Sequence, residues 1–335
     1  GGRLNGYFDL TRGHTNEDWQ YMVKNLLSES SVVNLKTPSL VFAFDAAAVK
    51  KACPKNMVEV LGIWDDFMKL DRELLGVNNT YIPNVEERFN NVYNCFSGDD
   101  NYTGYMHATN YGGYFNDTTI PTIMNYEQMQ QDGIWGPAHE LGHLHQALFN
   151  LVGTTEASNN MFANAYVYKQ GRTTQRGAAP ATIFDHFANK IDWSQYDIWE
   201  TTHMLYQLYL YFHVNGVMPD FYPRVFSKLR QDPMNRTLKT TIASTQEYHK
   251  FARFCCDVAQ ADLSEFFASY GPAEKPIRAF YDLVEERFCS LEAWDDHRGH
   301  MNKHVAWYHL GDEPTMAKLA AYMKAAESAS GLTPQ

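Results

Sequence analysis

The chain has 335 residues, of which 28 are Lys or Arg and 39 are Asp or Glu, so its formal net charge is −11. This acidity argues against nucleic acid or an anionic membrane as a partner. With 44% hydrophobic and 20% charged residues, the composition is that of an ordinary globular protein and excludes a mainly disordered chain. No apolar run approaches the ~20 residues that span a bilayer, so the sequence predicts no transmembrane segment.

The beginning of the chain and its cysteines give two further expectations. The sequence opens Gly1-Gly2-Arg3 with neither an initiator Met nor a signal sequence, so we expect a piece of a longer protein. The five cysteines have neither the CxxC spacing of a zinc cage nor the density of a disulfide scaffold. The cysteines therefore do not indicate whether the protein works in an oxidising or a reducing compartment.

The predicted elements change in kind along the chain. An apolar run at 40–44 predicts a buried strand, and the three- and four-residue spacing of apolar side chains in 54–75 predicts a helix. Aromatic residues that alternate with small and polar residues from 102 to 124 indicate strands and turns. After residue 136 the patterns are helical, over 137–150, 156–169, 198–214, 245–258, 264–270 and 277–288. Strands early and helices late predict an α+β fold.

The segment 135–146 reads WGPAHELGHLHQ and contains the HExxH motif. His139 and His143 are four residues apart and share one face of a helix, so both imidazoles can reach a single zinc ion. Glu140 would lie beside the water that such an ion binds. The alternative is a buried amphipathic helix that carries two histidines by coincidence, and a third ligand distinguishes the two interpretations.

The residues after His143 limit where a third ligand can be. A metzincin has Gly and His three and six residues later, but this chain has Gln146 and Phe149 there. Thermolysin-like enzymes have a Glu about twenty residues later, where this chain has Ala163. The nearest downstream carboxylate is Glu156, at the start of the next helical pattern. Glu156 is therefore the candidate third ligand.

The run WGPAHELGHLHQ, followed by GTTEASNN at 153–160, closely resembles the enhancin-like peptidases of family M60. The pattern of this family is HExGH, a short spacer and a ligand Glu, and Gly142 matches its glycine. The segment DLSEFFASYG at 262–271 resembles the family's "DL-x-x-FF…WG" segment, with Tyr270 in place of Trp. The likeness spans roughly 40–271. It implies a gluzincin-type zinc metallopeptidase domain over 1–275, followed by a helical C-terminal extension over 276–335 that packs on the same domain.

The resemblance also implies roles for four residues and a class of substrate. His139, His143 and Glu156 would bind one Zn²⁺ per chain, and Glu140 would act as general base. Bacterial members of the family commonly cleave mucins and other O-glycosylated proteins beside the glycosylated Ser or Thr. We therefore expect a secreted or cell-surface zinc endopeptidase that acts on mucin-type glycoproteins. The alternatives are a zinc peptidase indifferent to glycans and a non-catalytic glycoprotein-binding module on the same fold.

Other residues near the motif are weaker candidates. His145 points away from the face of His143, and we interpret it as a polar packing or surface residue. The stretch 109–114 is either the edge strand that pairs with an extended substrate or an ordinary hairpin. Asn159 and Asn160 could orient the Glu156 carboxylate or be solvated on a helix surface.

Aromatic and imidazole side chains provide two more sets of candidates. An oxyanion in the transition state needs a donor, and the candidates are Tyr126, His203 and Tyr206. Two tryptophans are candidates for stacking on a sugar. Trp135 lies just before the HExxH motif, and Trp199 lies at the start of the helix predicted at 198–214. Each of these residues is also compatible with a purely structural role.

Overall fold

The computed structural model describes residues 6–28, 32–77, 93–98, 104–109, 112–150, 154–172, 176, 197–214, 216, 218–233, 241–260 and 263. A mixed sheet and a set of helices form these parts of the chain, which confirms the predicted α+β class. The helices predicted at 264–270 and 277–288, most of the segment 262–271 and the extension 276–335 lie outside the described residues. The domain boundary at residue 275 therefore stays a prediction.

Within the described residues, the sheet has six strands in the order β1-β2-β3-β4-β6-β5. Their bounds are Gly6–Asp9 (β1), Val32–Lys36 (β2), Leu40–Asp45 (β3), Tyr93–Gly98 (β4), Met106–Thr109 (β5) and Gly112–Asn116 (β6). The pairs β2/β3 and β5/β6 are antiparallel and the other three pairs are parallel. The strand predicted at 40–44 is β3, whereas the region 102–124 ends in a short helix after its two strands.

Eleven α-helices lie in the described part of the chain. They are α1 (Asn16–Asn25), α2 (Ala46–Ala52), α3 (Met57–Leu75), α4 (Ile120–Ile123), α5 (Tyr126–Gln128), α6 (Trp135–His145), α7 (Thr155–Ser158), α8 (Asn160–Lys169), α9 (Ile198–Tyr209), α10 (Phe221–Gln231) and α11 (Thr241–Ala259). The helices predicted at 54–75, 198–214 and 245–258 correspond to α3, α9 and α11. The pattern predicted at 156–169 is divided between α7 and α8.

The chain forms two compact units. The first contains the described residues of 1–73, 77–147 and 162–170, and thus the whole sheet and α6. The second contains the described residues of 74–76, 148–161 and 171–335, and thus α7 and α9 to α11.

Aromatic side chains hold α3 against the sheet of the first unit. The indole of Trp64 contacts Phe42 of β3 and Phe115 of β6 edge-on, with ring centroids 5.1 and 5.5 Å apart. Phe44 contacts Phe115 in the same manner at 5.9 Å. All four rings are buried. Such pairs each contribute about 0.5–1.5 kcal/mol beyond the burial of their area, so this cluster fixes α3 on the sheet.

The helix that carries HExxH packs closely on β5 and β6 because glycines lie between them. A Cβ on Gly136 of α6 would come within 2.9 Å of Sδ of Met106, and a Cβ on Gly113 would come within 2.9 Å of the Phe115 ring. A Cδ atom of Leu141 on α6 lies 3.7 Å from the Cβ position on Gly113. The small residues therefore set the distance from α6 to the edge of the sheet.

Gly112, the first residue of β6, has a backbone conformation that only glycine adopts readily. Its φ is +148°, and a Cβ there would lie 1.9 Å from the carbonyl oxygen of Asn94 on β4. Any side chain at this position would either push β4 away or force the backbone out of register.

Four of the five cysteines are described, and all four are buried free thiols: Cys53, Cys95, Cys255 and Cys256. Burial raises the pKa of Cys53 to about 12 and also raises the pKa of Cys95 and Cys255. Cys289 lies outside the described residues.

We expect Gly112→Ala to lower the free energy of unfolding by about 2–3 kcal/mol, because it combines a strained φ with a steric clash. Urea unfolding followed by tryptophan fluorescence measures this loss. Gly98→Ala in β4 is the matched control, since no atom lies within 4 Å of its added Cβ. Equal losses for the two variants would contradict the assignment of strain to Gly112.

Candidate metal centre

The HExxH motif lies within α6, which runs from Trp135 to His145. Pro137 is in the first turn, where the missing N–H of proline costs no hydrogen bond. Ala138 and Leu141 are fully buried and hold one side of the helix against the core. His139 and His143 are partly exposed on another side. The helix therefore presents the two imidazoles together, as the four-residue spacing predicts.

His139, Glu140 and His143 bring one ligand atom each within 4.8 Å of one another. The two imidazole rings are nearly perpendicular, at 82°, and their centroids are 4.9 Å apart. Glu140 is 8% exposed. In the described ranges, no other group of three or more His, Cys, Asp or Glu side chains could hold a metal ion.

The chemistry of these residues fits zinc, which accepts imidazole nitrogens and carboxylate oxygens. The side-chain amide of Gln146 lies 2.6 Å from Nδ1 of His143. A metal ion would therefore bind this imidazole through its other ring nitrogen, Nε2. The amide can present its oxygen to Nδ1–H, because the two orientations of a Gln amide differ only by a half-turn. A contact of this kind fixes the tautomer and the ring orientation of a metal ligand.

Trp135 supports the other histidine. Its indole stacks on the His139 ring at 5.2 Å and 27°, and its Nε1 donates a hydrogen bond of 2.9 Å to Oδ1 of Asn164 on α8. Trp135 and Asn164 are both buried. A buried indole cannot offer a face to a sugar, so that alternative for Trp135 is wrong. Trp199 is half-buried at the start of α9, and its role stays a prediction.

Of the two interpretations of His145, a packing residue or a surface residue, the first is confirmed. It is fully buried, and its Nδ1 contacts Oδ2 of Asp71 on α3. The rings of Tyr93 and Phe162 meet the imidazole edge-on, with centroids 5.4 and 6.1 Å away. Burial raises the pKa of Asp71 to about 6, while the contact with His145 acts in the opposite direction.

Asp71 precedes His145 by 74 residues, and the motif pattern gives no indication of this pairing. One signal was available. In the three- and four-residue apolar spacing of α3, the aspartate occupies the position between Met68 and Leu75, both of which are buried. A carboxylate on the buried face of a helix needs a polar partner.

Glu156 lies on α7, in the second unit, and its side chain is exposed. It is not among the three residues grouped above. Its assignment as the third ligand therefore stays a prediction. The amide of Asn160 donates to the main-chain oxygen of Glu156 at 2.6 Å and to Oγ1 of Thr202 at 3.2 Å. Asn160 thus joins α7 to α9 rather than solvating a helix surface.

The three candidate oxyanion donors lie on two helices. Tyr126 is partly exposed on α5, whereas His203 and Tyr206 are buried on α9. Their role as donors stays a prediction.

The described residues of the stretch 109–114 belong to two antiparallel strands, as in the hairpin alternative. Thr109 ends β5 and Gly112 begins β6, which lies inside the sheet between β4 and β5. The edge strand on this side is β5, and α6 packs against it.

The family model described as "Peptidase M60, enhancin and enhancin-like" matches residues 7–271. The chain belongs to this family. Membership confirms the resemblance carried by HELGH and its neighbours, and it makes the protein a relative of metallopeptidases.

Comparison with individual proteins agrees with this membership. The chain is 24% identical over 281 residues to a TRPM8 channel-associated factor homolog of Danio rerio, a match over 78% of this chain and 27% of that one. A metallopeptidase in complex with Tn antigen has a TM-score of 0.70 and 24% identity, over 84% of this chain and 56% of its own. A metallopeptidase from Bacteroides thetaiotaomicron has a TM-score of 0.68 and 23% identity, over 84% and 51%.

Each of these matches covers only part of the protein compared. The chain spans about a quarter of the Danio rerio relative and about half of each of the two solved chains. At these identities the structural likeness establishes the fold alone.

Proposed function

We propose that this protein is a zinc-dependent endopeptidase that hydrolyses peptide bonds in mucin-type O-glycosylated proteins. The observation that carries the proposal is the convergence of His139, Glu140 and His143 within 4.8 Å on α6, in a chain of the M60 family. A module that only binds glycoprotein needs no glutamate between two histidines.

His139 and His143 would hold the zinc, one ion per chain, and Glu156 would complete the ligand set. The last assignment rests on the family pattern alone. When bound, zinc supplies a Lewis acid that lowers the pKa of a water molecule toward ~7.

Glu140 would move the proton. Its carboxylate takes a proton from the attacking water and later returns it to the nitrogen of the leaving amine. The near-complete burial of Glu140 keeps this carboxylate in place beside the two histidines. No covalent bond between enzyme and substrate forms in this scheme.

The substrate backbone would run along β5. In the described part of the sheet, β5 has a strand partner on one side only, and α6 packs against it. An extended peptide can pair with such an edge through main-chain hydrogen bonds that do not depend on its sequence. This would place the peptide next to the helix that carries His139 and His143.

The similar metallopeptidase in complex with Tn antigen supports an O-glycosylated substrate. A substrate of this class favours a secreted or cell-surface location. In the described residues, no helix has both the length and the apolar character needed to cross a membrane.

A second candidate is a binding role without catalysis. The Danio rerio relative is named as a channel-associated factor homolog, and that name favours association over hydrolysis. A zinc peptidase that cleaves regardless of glycans is a further alternative, and it is also an enzyme.

The experiment that tests the proposal is digestion of an O-glycosylated peptide and its unglycosylated twin, with cleavage sites mapped by mass spectrometry. We expect cleavage of the glycosylated peptide beside the modified Ser or Thr, and loss of cleavage with a zinc chelator. Cleavage of both peptides would favour the glycan-indifferent peptidase. Cleavage of neither, with binding to the glycopeptide retained, would favour the binding module.

Glu140→Gln keeps the shape of the side chain and both histidines but removes the base. We expect zinc to remain bound while kcat falls by about 10²–10⁴-fold, the range for a lost general base. Zinc content by metal analysis and turnover of the glycopeptide measure the two effects. Full activity of the variant would remove Glu140 from the mechanism.

Glu156→Ala tests the third ligand. If Glu156 binds zinc, its loss should weaken zinc binding by more than the ~10–100-fold seen for residues that only support a ligand. Asp220→Ala is the control, because this carboxylate is exposed and forms a surface ion pair with Arg224. Equal zinc affinity in both variants would exclude Glu156 as a ligand and return the search to Glu200 and the carboxylates beyond it.

A further inference from the structure

The last turn of α6 is attached to α3 by a pair of buried polar side chains. Oδ2 of Asp71 contacts Nδ1 of His145, and neither side chain has any exposed surface. In the ranges that the structure describes, the other oxygen of Asp71 accepts no hydrogen bond. His145 is thus the main polar partner of this carboxylate.

Burial of such a pair is weak evidence that it stabilises the fold. Removing two polar groups from water costs as much as their attraction returns, and apolar residues of similar size often serve equally well. Phe67 and Leu70 show that the neighbouring positions of α3 are indeed apolar and buried. A role other than general stability therefore explains better why an aspartate is present at position 71.

The position of His145 in the chain indicates that role. It lies two residues after His143 and directly before Gln146, whose amide contacts Nδ1 of His143 at 2.6 Å. A contact that holds His145 in place therefore also holds the backbone between His143 and Gln146, the two residues whose side chains meet.

The other end of α6 has its own attachment, the hydrogen bond from Trp135 to Asn164. Trp135 stacks on His139, so each motif histidine is next to one attachment point. The two attachments use different helices, α8 for the first turn and α3 for the last. Loss of the Asp71 contact would leave the His139 end fixed and release the His143 end.

We propose that Asp71 is a positioning residue of the metal centre: it holds His145, and with it the last turn of α6, so that His143 is directed at the ion together with His139. The assignment rests on the proposed function, since it presumes that the two histidines bind zinc. Asp71 touches neither the ion nor the substrate and acts only through His145.

The test is the zinc affinity of purified protein, measured by competition with a chelator of known affinity. Asp71→Ala removes the contact, Asp71→Asn keeps a weaker acceptor, and Glu73→Gln is the matched control. Glu73 lies on the same helix, two residues further on, but its carboxylate is about half-exposed and pairs with Lys169. Thermal unfolding of the metal-free proteins separates a loss of stability from a loss of affinity.

We expect Asp71→Ala to weaken zinc binding by about tenfold, the lower end of the range for residues that support a ligand, and Asp71→Asn by less. Glu73→Gln should bind zinc like the wild type. If Asp71→Ala does not fold, Asp71→Asn alone carries the test, with an expected loss of about threefold or more. Wild-type zinc affinity in a folded variant that has lost only thermal stability would overturn the proposal.

This readout is separate from catalysis. If the wild type binds zinc but cuts no glycopeptide, the proposed function fails while the role of Asp71 is still decided by the affinities. If the wild type binds no zinc at all, both proposals fail.

Discussion

The contact of Trp64 with Phe42 and Phe115 is the constraint on which the candidate site depends. It fixes α3 on the sheet, and Nε1 of Trp64 also donates to the main-chain oxygen of Ile123 at 3.1 Å. Asp71 follows Trp64 by seven residues, which is two helical turns, so both side chains lie on the same face of α3. The aromatic packing therefore determines where the partner of His145 is placed.

The sequence predicted the elements whose signal is local. The spacing of His139 and His143 identified α6, and the periodicity of apolar residues identified α3 and β3. The supporting residues of the histidines are local as well. Trp135 precedes His139 by four positions and Gln146 follows His143 by three, the spacings at which helical side chains meet. Both could have been read from the segment WGPAHELGHLHQ.

The sequence could not predict the features that depend on distant pairing. Nothing local shows that β6 lies between β4 and β5, because the order of strands follows from hydrogen bonds across the sheet. The contact of Asp71 with His145 joins residues that are 74 positions apart. The sequence left two alternatives for 109–114 because strand residues at an edge and in the interior of a sheet have similar local patterns.

The buried cysteines make the two units separately observable. Cys53 and Cys95 belong to the first unit, and Cys255 and Cys256 belong to the second. A thiol with a raised pKa and no access to solvent does not react with alkylating reagents until the surrounding structure opens. In a variant without Cys289, the rate of pulse alkylation at each pair would report the opening of its own unit. The order in which the pairs become reactive during heating or metal removal would then reveal which unit loses its structure first.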